Sequence, residues 1–290
     1  MATTINGGFT TLTSWLIPTT AQKDALSTHR NTVKAKLNSA LAVTNFFGTG
    51  SSSNGTDVRS RSDVDFFAGI PSQNQRDSSD RMLVVVKEVL QQRFSSTNIF
   101  VRSPAVVCAF GTDASEKLEV VPAYYTGQSS DGFNIYKIPN GSGGWMRSSP
   151  KVHNSYVTEV NDDLSKKVKP LIRLMKAIKY YNNIPISSFY LELRVTKWIS
   201  EDTSVHYAYD VHAMLKNLVD CELAQMVDPK GISGYVAAAS TETYRQDALS
   251  KLTTARNRSA WARHYEGEDK IEKAFEYWDK VFNGGFPAYG

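Results

Sequence analysis

Cysteine and histidine are scarce in this chain, with two cysteines and five histidines among 290 residues. Cys108 lies in the apolar run Ala105-Val106-Val107-Cys108-Ala109-Phe110 and Cys221 in a helical segment, so both read as small buried hydrophobes. Two distant thiols and scattered histidines give neither a disulfide framework nor a zinc-ligand spacing. His206 and His212 fall on different faces of one expected helix, which excludes a shared metal site. No apolar stretch approaches the ~18 residues that span a bilayer. The start, Met1-Ala2-Thr3-Thr4-Ile5-Asn6, lacks the basic-then-apolar form of a signal peptide. The expectation is a cytoplasmic protein without membrane attachment. An excess of one charge is also missing. A net charge of +4 is too mild for a dedicated nucleic-acid binder, so no stable nucleic-acid partner is expected, and a local basic pocket fits better. Two common phosphate loops are absent as well. No Gly-x-x-x-x-Gly-Lys-Ser/Thr occurs, and Gly48-x-Gly50 is not continued by a third glycine in register.

What is present is enough apolar residue, 41%, to bury a substantial core, in an order that reads as α+β. Pro18-Thr19-Thr20 opens a helix to Leu41, with a broken apolar stripe of Ala25, Leu26, Val33, Leu37 and Leu41. Strands are expected over 43–47, 64–68, 99–101, 106–110 and 118–125, with a helix near 80–93 between them, giving a mixed sheet. Residues 128–149 are rich in Gly and Ser and read as a loop between lobes. The second half reads as helical, over 171–181, 204–227, 241–263 and 269–282, with Pro170 in a first turn or at a kink. The resulting division is 1–150 for an N-terminal helix and a sheet core, and 151–290 for a helical lobe.

The segment that carries chemistry is Gly50-Ser51-Ser52-Ser53-Asn54-Gly55-Thr56, followed by Ser62-Asp63-Val64-Asp65 entering the apolar Phe66-Phe67. Alternation along a strand sends Asp63 and Asp65 to one face. Two ionised acids that close repel unless a cation joins them. Hard divalent cations, above all Mg²⁺ carrying nucleotide phosphates, take such oxygen ligands, and a loop of small residues lets backbone N–H groups approach a phosphate. A third acid, Glu119, is embedded in the run Lys117-Leu118-Glu119-Val120-Val121-Pro122-Ala123-Tyr124, whereas Asp113 and Glu116 belong to the polar turn before it.

The order Gly50-Ser51, Gly55-Thr56, Asp63-Val64-Asp65 and a later strand acid resembles the active-site signature of the polymerase-β-like nucleotidyltransferases. The fuller pattern is similar to the CD-NTases, bacterial relatives of cyclic GMP–AMP synthase and oligoadenylate synthase, over most of the chain. The resemblance implies a nucleotidyltransferase core with a mixed sheet, a helical second lobe and a long N-terminal helix across both. It implies two Mg²⁺ ions, with Mn²⁺ as a substitute, held by Asp63, Asp65 and Glu119, the last standing where the family more often has Asp. Gly50 and Ser51 would grip phosphate. In the helical lobe it carries a phosphate-binding Lys onto Lys176, with Lys179 as the competitor, a phosphate-binding hydroxyl onto Ser188, and a base-stacking ring onto Phe189, where relatives often have Tyr. The implied activity is template-independent joining of ribonucleoside triphosphates, ATP among them, into a cyclic di- or trinucleotide second messenger for anti-phage defence, with release of pyrophosphate. Regulatory or effector protein partners have no signature in the sequence. Two alternatives share the acidic motif: transfer of one nucleotide to an RNA end, protein or small molecule, and a non-catalytic nucleotide-binding module.

Overall fold

The chain does not divide at a single point. In the computed structural model, which describes residues 2–59, 63–111 and 116–290 with backbone alone over 21–26, two units interleave along the sequence. One unit comprises Met1–Ile17, Thr56–Arg59 and Tyr156–Gly290, and the other Pro18–Gly55 and Ser60–Ser155. Ser62, Asp113 and the side chains of Ala25 and Leu26 lie outside the described residues.

Helix α1 (Ile5–Trp15) opens the chain with Thr4 accepting the N–H of Gly7, where no helix was expected. Gly7, Gly8 and the hydroxyl residues around them depress helical propensity, and tertiary packing overrides it. A Cβ on Gly8 would stand 2.9 Å from the ring of Phe286, so the second glycine permits the close approach that binds α1 to the C-terminal residues.

The sheet unit begins with α2 (Thr20–Leu41) and holds β1 (Asn45–Thr49), α3 (Gly50–Asn54), β2 (Val64–Gly69), α4 (Ser79–Arg93), β3 (Asn98–Arg102), β4 (Ala105–Phe110), β5 (Glu116–Gln128), β6 (Asn134–Pro139) and β7 (Trp145–Ser148). Five strands run in the order β1-β2-β5-β4-β3; β2 and β5 are parallel, the others antiparallel, and β6 and β7 extend the sheet from the far half of β5. Alternation sorts the side chains. Phe46, Phe66, Val106, Cys108, Leu118 and Val120 face α2 and α4, where Val33, Leu37, Met82, Leu83, Val86 and Leu90 complete one core. Burial there pushes the Cys108 thiol up to about 12, in keeping with a packing role. The opposite face carries Phe67, Val121, Ala123, Tyr136 and Ile138 as a smaller cluster, and the acids at one end.

Boundaries in the sheet unit differ from the sequence reading. β1 starts two residues later than expected, and Glu116 opens β5 instead of ending a turn. Residues 128–149 are not a loop but contain the β6–β7 hairpin. Asn140 Oδ1 accepts the backbone N–H groups of Ser142 and Gly144, closing a turn whose Gly and Ser content masks the alternation of Tyr136 and Ile138.

The chain enters the helical unit through α5 (Pro150–Asp163), then forms α6 (Val168–Tyr181), α7 (Ser188–Ile199), α8 (Tyr207–Asp220), β8 (Met226–Val227), β9 (Tyr235–Val236), α9 (Glu242–Gly267) and α10 (Ile271–Val281). Pro170 occupies the first turn of α6, as its missing N–H allows. α8 stops short of the expected Val227, because Glu222 and Leu223 turn into the left-handed region before a two-strand ribbon.

Phe9 is fully buried among Tyr207, Trp278, Phe282 and Phe286. Phe9→Ala should therefore lower unfolding free energy by about 3–5 kcal/mol in urea titration. A loss below about 1 kcal/mol would mean that α1 is not part of this core.

Candidate nucleotide and metal site

Parallel pairing fixes the acids. The register of β2 with β5 sets Asp65 opposite Glu119, and Asp63, two residues earlier, shares their face from the position just before the strand. On the other side of β2, Thr49 is opposite Asp65, and the chain leaves Thr49 directly into Gly50. Gly50 has φ +61°, and a Cβ there would stand 2.1 Å from Asp65 Oδ2, so both conformation and contact demand glycine. The backbone of the Gly/Ser segment is thus pressed against an acid. Where an extended loop was expected, Gly50–Asn54 forms one helical turn ending at Gly55 in the left-handed region. Thr49 makes no side-chain cap to that turn.

Arg102, the last residue of β3, was not foreseen. Its guanidinium pairs with both Asp63 and Glu119. The available signal was an arginine ending a strand on the sheet's edge, which by itself has no chemistry attached. Oε1 of Glu119 is buried without a well-directed hydrogen bond, so the guanidinium is the charge that answers it. Among the described residues, no three His, Cys, Asp or Glu side chains close into a metal-holding group. The donor set still fits a hard divalent cation. Carboxylate oxygens on adjoining strands already hold a positive group between them, and no softer ligand intervenes.

In the helical unit the basic side chains of α6 have separate tasks. Lys176 is 1% exposed, and its ammonium donates to Glu192 of α7 and, at 3.0 Å, to Thr56 Oγ1. Thr56 in turn donates to the same carboxylate. Arg173, its proton affinity lowered by burial, lies within electrostatic reach of Asp57, and Lys169 donates to Thr158 Oγ1 at 3.0 Å. Lys176 therefore belongs to the buried structure around residues 56–57 and not to an open phosphate face.

Lys179, one turn on, donates to Ser188 Oγ and lies 4.6 Å from the ring centroid of Tyr180. The structure brings Ser188 together with Lys179, not with Lys176. Ser187 caps α7 by accepting from the N–H of Tyr190, which leaves the hydroxyl of Ser188 for the lysine. Phe189 follows with 39% of its surface exposed, a ring presented and not buried.

The chain is similar to known proteins in sequence and in fold. The chain is 28% identical to a probable cyclic nucleotide synthase of Bacillus cereus (strain VD146) over 178 residues, 59% of this chain, and that match spans about half of the relative's length, 52%. Among solved structures, E. coli MS115-1 CdnC in complex with HORMA-deltaN is 18% identical and superposes with a TM-score of 0.72 over 95% of each chain. Vibrio cholerae DncV cyclic AMP-GMP synthase, in complex with the linear intermediate 5' pppA(3',5')pG, gives 0.73 at 13% identity over 94% of this chain and 93% of that one. These likenesses give the fold: a nucleotidyltransferase core with a mixed sheet, and a helical lobe. Residues 3–161, more than half of the chain, match the Second Messenger Oligonucleotide or Dinucleotide Synthetase domain, and the chain belongs to that family.

Proposed function

We propose that the protein is a template-independent nucleotidyltransferase of the cytoplasm that joins ribonucleoside triphosphates, ATP among them, into a cyclic di- or trinucleotide messenger of anti-phage defence. The observation that carries the reading is Gly50 held against Asp65 while Asp65 stands opposite Glu119, since a phosphate-approaching backbone and the acids it needs then share one end of a sheet. Membership of the synthetase family supplies the class of product. Asp63, Asp65 and Glu119 are assigned to hold two divalent ions, Mg²⁺ or Mn²⁺. Such ions, when bound, neutralise triphosphate charge and make a ribose hydroxyl a better nucleophile.

The chain's own groups do the positioning. Gly50 and Ser51 offer a small, donor-rich surface to phosphate oxygens. Lys179 replaces Lys176 as the lysine assigned to phosphate, because its ammonium is held by a hydroxyl and a ring, partners more easily exchanged than a buried carboxylate. Ser188 donates alongside it, and Phe189 supplies an exposed face on which a base can stack. Protein side chains then perform little covalent chemistry, and rate comes from orientation and charge stabilisation.

Asp63→Ala with Asp65→Ala should abolish product formation while circular dichroism shows a folded protein. Glu119→Gln should cost more than about tenfold in rate, that is ~1.4 kcal/mol. Full turnover by either variant would sink the assignment of the acids. Lys179→Ala should raise KM for triphosphate without lowering the melting temperature much. Lys176→Ala should instead destabilise by about 3–5 kcal/mol, because it takes the compensating ammonium from the buried Glu192 carboxylate; the reverse pattern would return the phosphate contact to Lys176. Finally, purified protein given a divalent ion and α-labelled ribonucleotides, with no acceptor, should yield a labelled product that survives phosphatase. Label that appears only after RNA, protein or a small-molecule acceptor is added would move the reading to single-nucleotide transfer.

A further inference from the structure

We propose that Arg102 is a built-in counter-ion that competes with divalent cations for Asp63 and Glu119, so that the site loads only when the guanidinium leaves. The inference rests on the assignment of those acids as metal ligands. Phe100, Val107 and Glu119 form one row across β3, β4 and β5, and Arg102 lies two residues beyond Phe100, on the same face. Its register partner is Ala105, which offers little bulk, so the long stem can cross β4 toward the acids. At its end the guanidinium meets Asp63 and Glu119 together, one carboxylate from each of two neighbouring chain segments. Bridging separate carboxylates is the task of a cation, whereas a structural arginine more often grips one carboxylate with both nitrogens.

Two further observations favour a releasable group. The oxygens engaged, Asp63 Oδ2 and Glu119 Oε1, are ones that a divalent ion would need, and an oxygen facing a guanidinium is closed to a metal. The Arg102 side chain is 50% exposed, so it can swing into water with little desolvation to recover, unlike Lys176 at 1%. Without metal, the guanidinium screens carboxylates that would otherwise repel one another.

The test is Mn²⁺ binding without nucleotide, followed by the electron paramagnetic resonance of free Mn²⁺, on the wild type, R102Q, R102K and the D63A/D65A double variant. R102Q should bind Mn²⁺ about tenfold more tightly than wild type, and R102K, which keeps the charge, should return most of the weakness. The metal-free R102Q protein should melt below the wild type, with the gap closing at saturating Mn²⁺. Equal or weaker binding by R102Q, with binding lost in D63A/D65A, would overturn competition while leaving the metal assignment intact. Binding indifferent to D63A/D65A would overturn both.

Discussion

Repulsion between aligned carboxylates is the constraint around which the sheet unit is organised. Parallel pairing of β2 with β5 holds Asp65 beside Glu119 at fixed strand spacing, and neither backbone position can withdraw without breaking register. A fold that accepts such a pair must place positive charge beside it. Arg102 reaches in from the edge strand, and the apolar cluster on that face, Phe67, Val121 and Ala123, begins one alternation step further along the same strands. The opposite face is free to be wholly apolar, and there α2 and α4 bury their stripes.

The sequence made the acids legible because their signal is local. Two aspartates with one residue between them, entering an apolar strand after small residues, specify a shared face and point to a chemistry without reference to the rest of the chain. The positions of the first five strands were equally marked by apolar runs. What escaped was of two kinds. Helix α1 and the β6–β7 hairpin depend on packing that overrides composition, as Gly8 against Phe286 illustrates. Arg102 and the partition of lysines on α6 depend on which distant residue each charge meets, and no spacing rule encodes that.

The lysines of α6 show how narrow the margin is. Lys176 and Lys179 are a single turn apart, yet one lies in the buried face between Met175 and Ala177, while the other lies at the helix end beside Ser188. What makes a lysine tolerable among Leu174, Met175 and Ala177 is Glu192, four residues into α7, together with Thr56. Reading α6 alone, the two lysines look alike; reading it with α7, one belongs to an internal ion pair and the other meets a hydroxyl near the helix end.

The interleaving of the two units along the chain bears on how the protein is made. Residues 18–55 and 60–155 contain every strand of the large sheet together with the helices of its core, so that unit can close its core while the remainder is still being translated. The helical unit cannot. Phe9 is synthesised well before Trp278, Phe282 and Phe286, so α1 must wait for its packing partners until α10 has been made. The threonines and glycines that weaken α1 as a helix also leave this waiting segment conformationally pliant until its partners arrive.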